Sequence, residues 1–154
     1  MGKEYICKEL DQGYVFIYVY SQHKDLEKAG IEFAFQHLDS DLLNIANSLE
    51  QTPFAYIETE YSGGTGVQIA AVWHQGKLLY GPMAEGNDWV HNDTISPTRM
   101  QWQKDKYVDI AKSGDCLIDD SPINTALRMI GAVKSNSIDK FQAVGLQKYR
   151  RIEI

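Results

Sequence analysis

Cysteine is scarce in this sequence: only Cys7 and Cys116 occur, and no CxxC spacing is present. Two distant cysteines exclude the disulfide framework typical of small secreted domains, and they form no zinc-binding pattern. The four histidines have no i,i+4 partner among them and no HExxH motif, so no metal site is expected. A GxSxG nucleophile elbow is also lacking. We therefore expect no cofactor and no recognisable catalytic residue.

Excess positive charge and long apolar runs are lacking as well. Fifteen Lys and Arg residues stand against 21 Asp and Glu residues, for a formal charge of −6. Such a surface repels a phosphate backbone, so nucleic acid is not an expected partner. The longest apolar stretches, such as residues 69–73, fall far short of the about 20 residues that span a membrane. Residues 1–10 lack the layout of a secretory signal. These features favour a cytoplasmic protein without membrane contact.

The length and composition are those of an ordinary globular domain. The chain has 154 residues, of which 44% are hydrophobic and 23% charged, enough to bury one apolar core. We expect residues 1–154 to form a single domain that exists as a monomer or homodimer.

Runs of β-branched and aromatic residues between turn signals predict strands. They lie at residues 5–7, 14–20, 54–61, 67–74 and 78–80. The second run has apolar residues on both faces of the strand, which predicts a central strand covered on both sides. Short turns join the last three runs into a meander that is expected to end at Gly81-Pro82. From Met83 to Gly114, glycine, asparagine and proline interrupt every period, which predicts a long irregular connection.

Apolar residues at helical spacing, with capping residues before them, predict helices. They lie at residues 40–50, 122–130 and 139–144. A further helix is predicted at residues 25–30, where helix and strand periods compete. Ser121 followed by Pro122 is a typical helix start. The predicted fold is therefore α+β, with a mainly antiparallel sheet of about five strands and three or four helices packed on it.

The most notable polar pattern is Glu58 and Glu60 in the third predicted strand. Residues two apart share a face of a strand about 7 Å from each other, a distance that suits a shared cation, an acid and base pair, or basic groups of a partner. The alternative is that both glutamates face solvent while Ile57 and Tyr61 face the core. The following glycine-rich stretch, residues 62–66, is expected to be a hairpin loop, because no helix follows it to cradle a phosphate.

A pocket near this hairpin is a second hypothesis, which would make the protein a small enzyme or ligand-binding domain. Its polar side chains would be Glu58 and Glu60, together with Tyr61, Gln68, His74 and Arg128. Arg128, in the helix after Pro122, is also a candidate partner for either glutamate. This hypothesis requires these side chains to meet in one concavity.

Aromatic and acidic residues in polar sequence are candidates for a protein-binding surface. Trp89 and Trp102 lie in the irregular segment, and tryptophan is enriched at binding hot spots. Asp88, Asp119 and Asp120 add negative charge. A structural subunit of a larger assembly is a third possibility, which predicts an exposed apolar patch.

Several stretches resemble small bacterial cytosolic proteins, some of them similar to the immunity proteins of polymorphic and contact-dependent toxin systems. The resemblance rests on residues 56–66 and 123–128, with Gly145-Leu146 and Tyr149-Arg150 downstream. It implies a compact acidic protein that binds and blocks a toxin domain from the same genetic locus. An acidic surface suits that role, because it steers association with a basic partner. Glu58, Glu60, Asp88, Trp89, Trp102, Asp119 and Asp120 are then the expected partner-binding residues.

Overall fold

A computed structural model describes residues 4–20, 31, 34–35, 38–62, 65–90, 94–110, 121–134 and 139–146. Its helices and strands are β1 Glu4–Glu9, β2 Val15–Tyr20, α1 Ser40–Ser48, β3 Phe54–Ser62, β4 Thr65–His74, β5 Lys77–Val90, β6 Thr94–Gln103, β7 Lys106–Asp109, α2 Pro122–Met129 and α3 Lys140–Ala143. The prediction of an α+β fold with a mainly antiparallel sheet is confirmed.

The main sheet is an antiparallel meander in the order β3-β4-β5-β6-β7. Strands β3 and β4 pair without a register shift, from Phe54 opposite Trp73 to Ser62 opposite Thr65. The next turn is tight because Gln75 and Gly76 both have positive φ, 54° and 68°, as a two-residue hairpin turn requires. The hairpin and meander predicted for residues 54–80 are present. The loop predicted at residues 62–66 is shorter than expected, because Ser62 belongs to β3, and Thr65 and Gly66 belong to β4.

The sequence predicted that the third strand of the meander ends at Gly81-Pro82, but strand β5 continues past these residues. The peptide bond between these residues is cis, and the strand continues to Val90. Pairing with β4 shifts register around Val72, which accommodates a proline that cannot donate to the ladder. The long irregular connection predicted for residues 83–114 is therefore wrong: β5 continues there, and β6 and β7 follow.

Helix α1 covers one face of the main sheet, here called the α1 face. Asp39 starts the helix, since its Oδ1 accepts a hydrogen bond of 2.9 Å from the Leu42 N–H. The buried core on this face consists of Ala34, Phe35, Leu38, Leu42, Ala46, Ile69, Ala71, Trp73 and Ala84. Trp73 is 3% exposed and belongs to this core.

Helix α2 covers the opposite face, here called the α2 face. Ser121 starts this helix by accepting from the Asn124 N–H, and Pro122 occupies its first turn, as predicted. Alternation along β4 sends Ala70 and Val72 to this face, where they pack with Ala126. A neighbouring cluster joins α2 to α3 through Ile123, Leu127, Ala132, Val144 and Leu146.

Strands β1 and β2 form a separate two-stranded sheet. Among the described strands β2 pairs only with β1, so the prediction that the second strand is central is not met there. Val15, at its start, is 60% exposed, whereas Ile17 is half-buried. The turn of this hairpin is held by the C-terminal part of the fold. The Asp11 N–H donates to the Val144 carbonyl at 3.0 Å, and Tyr14 Oη donates to the Ile130 carbonyl at 3.0 Å. Gln12 both accepts from and donates to the Val133 backbone.

The predicted count of three or four helices is not reached in the described part of the chain. The helices predicted at residues 40–50 and 122–130 are present as α1 and α2, whereas the one predicted from Asp139 is only the four-residue turn α3. The helix predicted at residues 25–30 lies outside the described residues. Among the helices that are described, none has the length and apolar character needed to span a membrane.

Candidate functional site

Glu58 lies on β3, the first strand of the main sheet, and on its α1 face. Tyr56 is on the same side of the strand and packs against the α1-face core, where its ring meets that of Phe35 edge to face at 5.0 Å. Tyr56 Oη donates a hydrogen bond of 2.9 Å to Glu58 Oε1. Glu58 is therefore half-buried beside a core aromatic residue, and the expectation that it faces open solvent is wrong.

The tyrosines around Glu58 are held in their protonated form. Burial, followed by the charge of Glu58, its hydrogen bond and the charge of Asp39, raises the pKa of Tyr56 far above 10.0. Burial and the Glu58 charge likewise raise the pKa of Tyr107. Both hydroxyls thus remain donors at physiological pH. Tyr56 donates to the carboxylate of Glu58, and Tyr107 donates to the Ala34 carbonyl at 2.7 Å.

The backbone of β3 has one edge on β4 and one outer edge. The Gln75-Gly76 turn closes on the pair of His74 and Lys77, which in a two-residue hairpin is hydrogen-bonded. Alternation along β4 then directs the backbone groups of Trp73 toward Phe54 on β3. It follows that Ala55, Ile57 and Thr59 direct their backbone N–H and C=O groups to the outer edge. No strand among the described residues pairs with that edge.

Trp102 lies on β6 within the sheet and not in an irregular loop. Its ring meets that of Tyr107 edge to face at 5.0 Å, and both pack against the α1-face core. Trp102 is half-buried. It lies on the same face as Glu58, and its packing role is evident from these contacts.

Gln68 and Arg128, from the hypothetical pocket, lie on the α2 face. Gln68 Oε1 accepts a hydrogen bond of 3.1 Å from the Ile123 N–H, in the first turn of α2. This bond satisfies one of the backbone donors that every helix start leaves open. Arg128 is exposed near the end of α2. His74 is half-buried beside the β4–β5 turn, where it pairs with Lys77.

The sheet therefore separates the residues of the hypothetical pocket. Glu58 is on the α1 face, whereas Gln68 and Arg128 are on the α2 face. The internal ion pair between Arg128 and Glu58 that the sequence had suggested would have to cross the sheet. These three side chains do not converge in one concavity.

The remaining predicted residues are placed by backbone register or not at all. Glu60 pairs with Val67 and Tyr61 with Gly66 in the β3–β4 ladder. In the β5–β6 ladder, Asp88 pairs with Ser96 and Trp89 with Ile95. Asp119 and Asp120 lie outside the described residues.

An ion pair on the α2 face was not predicted. Arg99 on β6 donates through Nη2 and Nε to Glu85 Oε2 on β5, at 2.8 and 3.1 Å. The side chains are 22% and 15% exposed. Glu85 pairs across the ladder with Gln68 as well as with Arg99. Glu85 and Arg99 lie directly opposite each other on β5 and β6. This pairing could be predicted from the sequence only if residues 83–103 were first recognised as strands.

Tyr80 lies beside this ion pair and packs against the α2-face core. Burial raises the pKa of Tyr80, while a hydrogen bond with Thr125 and the charges of Arg99 and Arg128 oppose that rise. On the α2 face, the sheet and helix α2 are thus joined by the polar contacts of Gln68 with Ile123 and of Tyr80 with Thr125. These contacts are those of an internal interface.

Comparisons with known proteins bear on neither face. No family model, curated protein or solved structure matches this chain. Among the described residues, no group of three or more His, Cys, Asp or Glu side chains is arranged to hold a metal ion. What the described site offers chemically is a half-buried carboxylate on the α1 face of β3, held by a tyrosine hydroxyl, and a carboxylate is the usual partner of a cationic group.

Proposed function

We propose that this protein is a bacterial immunity protein that acts in the cytoplasm by binding and neutralising a cognate toxin domain. The observation that carries the proposal is the position of Glu58. It is half-buried on the first strand of the sheet, and Tyr56 holds its carboxylate at 2.9 Å. A fixed carboxylate loses less side-chain entropy on binding a cation than a freely rotating one.

The charge of the whole chain supports a cationic partner. A formal charge of −6 attracts a basic toxin domain over a distance of about one Debye length, roughly 8 Å at physiological salt. This attraction accelerates association and disfavours acidic competitors. The resemblance of residues 56–66 and 123–128 to immunity-type proteins points to the same class.

The enzyme or ligand-binding hypothesis receives less support. It depends on a pocket that combines Glu58 with Gln68 and Arg128, and these residues lie on opposite faces of the sheet. Gln68 already accepts from the Ile123 N–H. The described geometry therefore favours a binding surface over a catalytic pocket.

The test is binding to the C-terminal domain of a large secreted protein encoded next to this gene. We expect stoichiometric binding with a Kd of about 1 nM or tighter, the range of stable inhibitor complexes, and rescue of growth when both are expressed. Calorimetric titration measures the first and a growth curve the second. Failure of the domain to bind, or binding without rescue, would contradict the proposal.

Two matched variants locate the binding surface. Glu58→Gln removes the charge and keeps an acceptor for Tyr56, and is expected to weaken the toxin complex roughly threefold, as for a partly exposed ion pair. Glu50→Gln makes the same chemical change at an exposed position after α1 and should leave affinity unchanged. Equal effects of the two variants would mean that general charge, and not Glu58, supports binding.

A further inference from the structure

We propose that the outer edge of β3 binds an extended, basic segment of the partner by β-strand addition. The proposal rests on the proposed function for the identity of the partner and adds the mode of binding. In this mode the backbone supplies affinity through ladder hydrogen bonds, and side chains at alternate positions supply specificity.

The length and regularity of β3 make its edge suitable for strand addition. The strand has nine residues, longer than the about five or six of an average strand. It pairs with β4 without a bulge over its whole length. Natural edge strands are commonly protected from such pairing by shortness, bulges, proline or lysine. Strand β3 contains none of these four devices. Its protection against self-pairing is charge, because Glu58 lies on the covered α1 face beside Tyr56.

Three outward residues would form the ladder. Ala55, Ile57 and Thr59 each have one backbone donor and one acceptor on the outer edge, as the alternation from the β4–β5 turn requires. Thr59 is exposed, and Ala55 and Ile57 are half-buried. An added strand pairing with all three would continue the antiparallel meander by one strand.

The charge of β3 selects a basic occupant over a second copy of this chain. The strand contains Glu58 and Glu60 and no basic residue. If two copies of β3 paired in antiparallel orientation about their centres, Glu58 would lie opposite Glu58, and like charges directly opposite are destabilising. A segment with Lys or Arg at alternate positions would instead form opposite-charge pairs. The edge is thus selective by charge, and none of the described strands occupies it.

The first probe is a synthetic peptide as long as β3 in which lysine and threonine alternate. We expect it to slow amide hydrogen exchange at Ala55, Ile57 and Thr59 by about tenfold at a concentration ten times its Kd. The matched peptide with glutamate in place of lysine should bind at least about fivefold more weakly, since it places like charges opposite Glu58. Equal binding of the two peptides, protection confined to other strands, or dimerisation through β3 would overturn the proposal.

A backbone variant separates ladder bonding from simple charge attraction. Thr59→Pro removes an outward N–H and should weaken peptide binding about fivefold, the loss of one ladder bond. Thr59→Ala keeps that N–H and should bind within about twofold of wild type. If Thr59→Pro fails to fold, the peptide can be N-methylated on alternate amides. One methylation pattern should abolish binding and the other should not, whereas equal effects of both patterns would contradict strand addition.

The toxin domain distinguishes failure of this inference from failure of the proposed function. If the domain binds wild type and Thr59→Pro equally tightly, the function stands and strand addition at β3 is wrong. If the basic peptide protects β3 but no adjacent toxin domain binds, strand addition stands and the immunity function is wrong.

Discussion

At the scale of single residues, Gly81 shows how one backbone position keeps a strand continuous. Its φ is 76°, and a Cβ at this position would overlap the backbone oxygen of Ala70 on β4. Only glycine fits there, because a side chain would clash with backbone that cannot move aside cheaply. Gly81, which the sequence analysis took as the end of the strand, thus allows β5 to lie close to β4 and to continue.

Gly81→Ala should therefore lower the free energy of unfolding by about 2–4 kcal/mol, through backbone strain plus the clash. Gly76→Ala is the control, since its φ is also positive but its nearest neighbour, the Asn47 oxygen, is 3.5 Å from the added Cβ. It should cost about 1 kcal/mol, from strain alone. Urea denaturation measures the free energy of unfolding of both variants. Equal losses would show that the backbone around residue 81 shifts and removes the clash.

Tyr56 should make stability sensitive to alkaline pH. Its pKa is raised in the folded state, so the folded state keeps a proton that the unfolded chain loses near pH 10. The stabilisation is full below the unfolded pKa and is lost as pH rises toward the folded pKa, with a slope of about 1.4 kcal/mol per pH unit for one proton. Tyr56→Phe should reduce that slope above pH 10 in denaturation curves.

Glu58→Gln serves as the comparison for Tyr56→Phe. Burial is the largest cause of the Tyr56 pKa shift, ahead of Glu58, so Glu58→Gln should retain most of the alkaline slope. A wild-type slope in Tyr56→Phe would show that other tyrosines, such as Tyr107, account for the pH dependence.

At the scale of elements, Gln68 links a strand to a helix. Its side chain accepts from the Ile123 N–H, 55 residues further along the chain, and so fixes the start of α2 on the sheet. Gln68→Met keeps the volume and removes the acceptor, and should cost about 1–3 kcal/mol, the penalty of an unsatisfied backbone donor.

Gln68→Glu retains an acceptor oxygen and should cost less than Gln68→Met in the same thermal or urea unfolding experiment. A larger cost for Gln68→Glu would mean that the nearby Glu85, its neighbour in the ladder, repels the new carboxylate more than the hydrogen bond stabilises it.

The strands and helices differ in how far local sequence predicts them. The hairpin of β3 and β4 follows from two runs of strand-forming residues on either side of a glycine-rich stretch, and the hairpin of β4 and β5 follows from the Gln75-Gly76 turn. Both are local signals. The face of Glu58 could not be predicted, because Tyr56 and Ile57 are both apolar and both faces of β3 are covered. Strands β5 to β7 were missed beyond Met83 because glycine, asparagine and proline obscure the period, and the cross-strand partners that stabilise them are not visible locally.

The residues of the candidate site also differ in whether local sequence could predict them. Glu58 could be selected from the sequence because strand alternation placed two carboxylates together. The true role of Gln68 and the ion pair of Glu85 with Arg99 depend on contacts between elements that the sequence does not align. Tyr56 was not selected as a site residue, although its spacing of two from Glu58 on one strand is a signal that could have identified it.

At the scale of the whole molecule, the charge of −6 predicts a strong dependence of toxin association on salt. The association rate constant with a basic domain should fall roughly tenfold or more between low and high ionic strength, while the dissociation rate changes less. Stopped-flow measurements over a salt series test this. A salt-independent association rate would exclude electrostatic steering.

The docking of the β1–β2 turn onto the far end of the fold has a consequence for synthesis. Gln12 bonds to Val133, 121 residues later, and at about 5–20 residues per second a ribosome needs roughly 6–24 s to add that many. During that interval the residues that hold the β1–β2 turn have not yet been made. The main sheet can form in sequence order, but the N-terminal hairpin takes its final place only after Ile130, Val133 and Val144 have been made, so its docking is a late step of folding.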